Sequence, residues 1–210
     1  MFTMEKLNEA TADFQKYVEP QLYDSNIFDP RNSYVIICEG DADDLKSKLD
    51  RFAGIDMCTV DKTNQVVQGI ASRIQRGTCW RTFTVRAITD NGSFDTEYKK
   101  RSKAIRNGDM YPTWTIQAYI GPDDLAPSKI LCTVGIIRTT ELFAYINNEL
   151  ATRHFETWGD FEEALRYDSS IGELAVRQNY SGGAVFLSCS WDKMIAKGID
   201  MKILYGVFDD

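Results

Sequence analysis

Leu7, Ala10, Phe14, Tyr17 and Val18 recur at helical spacing, so residues 4–18 are expected to form an amphipathic first helix that Pro20 ends. The apolar run SYVIIC at 33–38 reads as a buried strand. Asp41 or Asp43 caps a second helix, with Leu45, Leu49, Phe52 and Ala53 on its apolar face and Gly54 closing it. Three strand-like runs follow in a compact β region: IDMCTV (55–60), VVQGIASRIQ (66–75) and RTFTVRAI (81–88). DKTNQ between the first two predicts an antiparallel hairpin, and DNGS at 90–93 predicts a turn.

A helix is expected from near Asp95, DTEYKKRSKAIRN, ending at Gly108. The strands WTIQAYI (114–120) and ILCTVGIIR (130–138) come next. The helix TELFAYINNEL then aligns Leu142, Ile146 and Leu150. Further on, Thr157 and Asp160 spell a capping box for FEEALR, AVFLSC reads as a strand, and Ser190 caps WDKMIAK before Gly198. MKILYGVF closes the chain as an edge strand. The order helix, β, β, β, helix, β, β, helix predicts an α/β or α+β fold with a mixed central β-sheet flanked by helices.

At 210 residues and 43% hydrophobic, the chain can bury a sizeable core. The expected division is a core over residues 1–150, including the N-terminal helical segment, and an α+β extension over 151–210 packed on it. No apolar run is long enough for a membrane span, and the first residues lack a secretion signal, so a cytoplasmic (intracellular) location without membrane contact is expected. The five cysteines, Cys38, Cys58, Cys79, Cys132 and Cys189, are widely spaced with no CxxC pair. They read as buried free thiols, not as a zinc site or a disulfide framework. The single histidine, His154, leaves no His-rich metal centre within one chain, and no GxSxG, P-loop or GxGxxG motif is present.

The net charge of −7 is unevenly distributed. Residues 1–60 carry 6 basic and 12 acidic side chains, residues 61–110 carry 10 and 5, and residues 111–210 carry 8 and 14. A basic middle between acidic flanks is the pattern of a local phosphate-facing surface, and equally of one solvated, lysine-rich helix. Lys99, Lys100, Arg101, Lys103 and Arg106 make up that helix. Lys99, Lys103 and Arg106 share one face and form a row able to track a phosphate backbone.

Strand periodicity brings a second group together. Val67, Gly69, Ala71, Arg73 and Gln75 share one face of the second β run, while Ile70 and Ile74 point away. Arg73 and Gln75 beside small residues are expected to face a cleft. Asp56, just after Gly54, is placed either to bind a divalent cation or to accept backbone amides as a turn aspartate.

The helix, "GID", hairpin, strand, helix, strand order over roughly residues 41–150 resembles the PD-(D/E)XK nuclease superfamily. The resemblance implies a restriction-endonuclease-like core in which Asp56 is the opening metal ligand, holding Mg2+ or Mn2+. The family's second motif falls on Ala71-Ser72-Arg73, which retains a cation and lacks the carboxylate. Gln68, Gln75 or Glu97 would have to supply the missing oxygen. The literal E-x-K of Glu97 and Lys99 lies on a helix instead of a strand and is taken as coincidence.

Two functions follow as expectations. One is a Mg-dependent endo- or exonuclease, with Asp56, Arg73, Gln75 and Glu97 at the site and the basic helix holding DNA or RNA. The other is a catalytically inactive nuclease-fold interaction protein, of the kind a phage uses to block or recruit a nucleic-acid-processing complex. Its protein partner would be met through the acidic flanks, including Glu141, Glu149, Glu156, Asp160, Glu162, Glu163 and Asp168.

Overall fold

The computed structural model describes residues 9, 11–24, 33–37, 45, 49, 53–89, 96–122, 128–179 and 183–209, the stretch 33–37 by its backbone alone. It is a mixed α/β structure with two sheets flanked by helices. A π-helical turn, Phe14–Val18, runs into α1 (Glu19–Asp24). There follow β1 (Ser33–Ile37), β2 (Met57–Asp61), β3 (Val66–Arg76), β4 (Thr82–Ile88), α2 (Glu97–Asn107), β5 (Trp114–Pro122) and β6 (Lys129–Arg138). The remaining elements are α3 (Thr139–Leu150), α4 (Trp158–Tyr167), β7 (Ser170–Ile171), β8 (Leu174–Gln178), β9 (Val185–Ser190), α5 (Trp191–Ala196) and β10 (Met201–Asp209).

The first sheet has the order β1-β2-β3-β5-β6-β10 and the second β4-β9-β8-β7. Every pairing is antiparallel except β3 with β5, where Arg73 faces Gln117 in register. A parallel pair needs a long crossover, and here it is made by β4 and α2. The predicted hairpin forms. Asp61 organises its turn by accepting the amides of Thr63 and Asn64 at 2.8 and 3.1 Å.

Both sheets draw on sequence from either side of residue 150. β10 pairs with β6 at the edge of the first sheet, and β4 pairs with β9 in the second. The run 81–88 therefore does not extend the hairpin sheet, as a compact three-stranded region would. Gly77 and Arg81, both at positive φ, turn the chain out of that sheet before β4 begins.

Two cores result. Phe14, Tyr17, Val18 and Leu22 cover one face of the first sheet, packing on Ile70, Ile116, Ala118, Val134 and Ile136. On the other face, Tyr119 and Ile137 meet Phe83 and Val85 of β4, Leu187 and Cys189 of β9, and Leu142 and Ile146 of α3. Each fully buried large side chain contributes about 2 kcal/mol. Trp191 sits at the centre, its ring 5.6 Å from Phe83 and 5.7 Å from Tyr119.

Several expectations need correction. Pro20 does not end the first helix. The Glu19 amide bonds to Phe14 O across the π-turn, and the widened backbone lets the helix run on through the proline to Asp24. Ser190 occupies the N-cap of α5 without a side-chain capping bond, whereas the Thr157 capping box of α4 is complete. Cys58, Cys132 and Cys189 are buried, but Cys79 is exposed because it lies in the turn before β4. β7 and β8, in DSSIGELAVRQN, carry too short an apolar pattern to be anticipated. Most of the second helix expected after Asp41 lies outside the described residues, as do Leu7, Ala10, Cys38 and the turn at 90–93. Leu49 and Ala53 pack on Ile55 and Cys58, while Leu45 is exposed. Among the described residues no helix is long and apolar enough to cross a membrane.

Candidate anion site between the sheets

A cavity of about 390 Å³ opens where β3 and β5 of the first sheet face β4 and α2. Asp56, Arg73, Glu97, Lys100 and Arg101 all line it, together with Arg86 and Gln117. Residues scattered from 56 to 117 meet because the parallel β3–β5 crossover folds β4 and α2 over the strand pair.

Asp56 stands just before β2. Its amide donates to Ile70 O at 2.9 Å and its Oδ2 accepts the Ser72 amide at 2.6 Å. The aspartate thus ties the opening of the hairpin to β3. Arg73 projects from β3 towards β4. Its Nη1 donates to Thr84 Oγ1 at 2.7 Å and Thr84 O at 2.9 Å, and its Nη2 donates to Glu97 Oε2 at 3.0 Å.

Glu97 is the hub. Its Oε2 also accepts the Arg86 amide at 3.1 Å, and its Oε1 pairs with Arg101 one turn along α2. Burial pushes the Glu97 carboxyl up, but Arg101, Arg73 and Arg86 outweigh it and hold the group below the ordinary carboxylate range. Arg101 is itself 7% exposed and donates from Nη2 to Gly54 O at 3.1 Å. Sequence reasoning grouped Arg101 with the exposed lysines; the helix turns it inward, while Lys99, Lys103 and Arg106 are exposed.

Gln117 and Thr84 were not anticipated. Thr84 Oγ1 donates to Gln117 Oε1 at 3.1 Å, and Gln117 is 1% exposed. The signal the sequence carried was a glutamine within the apolar strand run WTIQAYI. Gln75 is half-buried, two residues beyond Arg73 on β3 and opposite Tyr119; it is not among the cavity residues. Phe186 of β9 packs under both arginines, with Arg73 Cζ 5.2 Å and Arg86 Cζ 5.5 Å from its ring centre.

Among the described residues, four cationic side chains and two carboxylates line the cavity. Two other arginines of the middle segment are committed elsewhere. Arg76 pairs with Asp13 and Arg81 with Asp192. Of the flanking aromatics, Tyr98 stacks on Phe143, Arg138 covers Trp114, and Trp80 is exposed. Several of the acidic residues serve the fold. Glu149 is buried against Lys197, Asp168 pairs with Arg153, and Asp160 completes the capping box. Among the described residues no cluster of three or more His, Cys, Asp or Glu side chains is placed to hold a metal. Compared with known proteins, this chain matches no family model, no curated protein and no solved structure.

Proposed function

We propose that the protein binds nucleic acid through its phosphates, on a nuclease-like scaffold that does not use Asp56 for metal-dependent cleavage. The observation that carries this reading is the arginine clamp on Glu97. Asp56 stands just before the first hairpin strand and Arg73 on the second, the placement that the resemblance to PD-(D/E)XK nucleases implies, and Glu97 is a carboxylate lining the same cavity. Yet both Glu97 oxygens are held by guanidinium or amide donors, and one Asp56 oxygen holds the Ser72 amide. A divalent cation requires several convergent oxygens, and three of these four are already bound to cations and N–H groups. Among the described residues the donor set does not fit Mg2+ or Mn2+. It suits an anion, because cations predominate. Lys99, Lys103 and Arg106 add an exposed basic row on the same helix, α2.

The test combines cleavage and binding. Supercoiled plasmid and single-stranded DNA are incubated with wild-type or Asp56→Ala protein in Mg2+, Mn2+ or EDTA. Affinity for labelled DNA and RNA is measured across a salt series. The expected outcome is binding that falls steeply with salt and no nicking under any metal. Metal-dependent nicking that disappears in Asp56→Ala would replace this reading with a working nuclease. Absence of binding to both nucleic acids would overturn it, and a stoichiometric protein complex recovered from lysate would then mark the interaction-protein alternative.

A further inference from the structure

We infer that β10 is the docking edge for a second copy of this chain, and that two copies join there as a two-fold dimer with one sheet running through both. None of the described residues lining the arginine cavity lies on β10, so the pairing is independent of nucleic-acid binding.

β10 ends the first sheet, beyond β6. Its nine residues keep an unbroken antiparallel register with β6, from Met201 opposite Ile137 to Asp209 opposite Lys129. A strand paired on one side sends the N–H and C=O of every second residue away from the sheet. Among the described residues no group bonds to that outer row. Sheet edges are commonly guarded by proline, a bulge, charge or shortness. β10 has no proline and no bulge, and its charged residues stand near its two ends, at 202 and 209.

Alternation along the strand sets Leu204 and Phe208 against the core beneath α1, and Met201 and Ile203 on the opposite face. Tyr205 and Val207 share that opposite face and are 61% and 54% exposed. Leu131 of β6, opposite Val207, is 37% exposed beside them. An exposed apolar row therefore runs along an unbonded edge. Strand addition uses both: main-chain hydrogen bonds and alternate side chains.

The pattern along β10 fits its own copy. A two-fold axis perpendicular to the sheet makes the strands antiparallel, keeps like faces on one side, and requires that if residue i meets j then j meets i. Centred on Tyr205, the middle of the strand, it pairs all nine residues; any other centre shortens the ladder. Tyr205 then meets Tyr205 of the second copy, and Ile203 meets Val207 at both ends of the row, so the apolar stripe continues across the joint. The basic start of each strand, at Lys202, comes beside the acidic end of the other, at Asp209. Nine residues a side is fewer than the roughly 20–30 of a stable interface. The dimer is accordingly weak, with a dissociation constant on the order of tens of micromolar.

The test is sedimentation equilibrium of the full chain over a concentration series spanning the micromolar range, with hydrogen exchange of the β10 amides at its two extremes. The mass is expected to rise from one chain to two and stop, and β10 exchange to slow as it does. Tyr205→Lys sets two like charges together on the axis and should weaken association at least about tenfold. Val67→Lys, which replaces an equally exposed apolar residue on β3, should leave association unchanged.

A single-chain mass throughout overturns the proposal and leaves the edge to a different chain. A dimer without slower β10 exchange, or one that Tyr205→Lys leaves intact, is held by another surface and overturns it too. Mass growing past two chains marks β10 pairing with the other edge strand, β1, of the next copy. That head-to-tail contact does not close, and it overturns the two-fold arrangement. If Tyr205→Lys does not fold, the mass and exchange of the wild-type chain decide the matter.

Discussion

Arg73 Nη2 on β3 lies 3.0 Å from Glu97 Oε2 on α2, joining two residues 24 positions apart that both line the cavity. Because Arg101 and the Arg86 amide converge on the same carboxylate, this pair holds α2 and β4 against the first sheet. It sets the geometry of the site as well as its charge.

Replacing Glu97 by Gln leaves Arg101 buried without its counter-charge. A loss of about 3 kcal/mol in unfolding free energy is expected. Chemical denaturation of the variant checks it, and Arg73→Ala should cost less because Arg73 is more exposed.

The same carboxylate makes stability depend on pH. Glu97 and Glu149 are both held below their ordinary value of 4.5: burial raises each, and bonds to Arg101 or Lys197 outweigh it. A depressed folded-state value means that their contribution is complete above the unfolded value and is lost as pH falls through the folded one. Tm should therefore be level from neutral pH down to the unfolded carboxylate range and drop in acid below it. The drop should be shallower in Glu97→Gln, as a Tm series against pH will show.

Gly135 on β6 lies beneath Trp191, and a Cβ there would approach Trp191 Cε2 to 2.6 Å. Trp191 is fully buried and cannot swing into solvent. Gly135→Ala is expected to destabilise by about 1–3 kcal/mol through overpacking. Loss of near-ultraviolet dichroism from the tryptophan at lower temperature would report it.

In the α4 capping box, Thr157 Oγ1 accepts the Asp160 amide at 3.2 Å, and Asp160 Oδ2 accepts the Thr157 amide at 2.8 Å. Thr157→Ala should cost about 1 kcal/mol. Urea unfolding should show a lower midpoint with an unchanged slope.

Lys103 and Arg106 make exposed, sequence-independent phosphate contacts in the proposed complex. Neutralising either should weaken nucleic-acid binding to all sequences alike and lower the log–log salt slope by about 1. Anisotropy titrations across the salt series measure both.

The strands and helices were legible wherever local pattern dominates. The turn acceptor Asp61, Gly108 as the left-handed C-cap of α2, and the Thr157 capping box all act within a few residues of themselves. Pro20 and Ser190 were misread for the opposite reason. A π-turn changes what the proline meets, and the Ser190 hydroxyl makes no capping bond to α5.

The candidate site divides along the same line. Period-2 alternation along β3 by itself separated Arg73 from Ile70 and Ile74, because a pleated strand allows a side chain only one face. The sequence also placed Asp56 at the mouth of the hairpin, together with the basic row on α2. Which distant groups meet Arg73 was a matter for tertiary structure alone. β4 leaves the hairpin sheet to pair with β9, and the β3–β5 crossover then carries α2 back over the strands. Glu97, Arg101 and Gln117 are thereby brought into one cavity from three elements. Sheet membership depends on pairing energies between strands up to about a hundred residues apart, and no local pattern of apolar and polar positions encodes them.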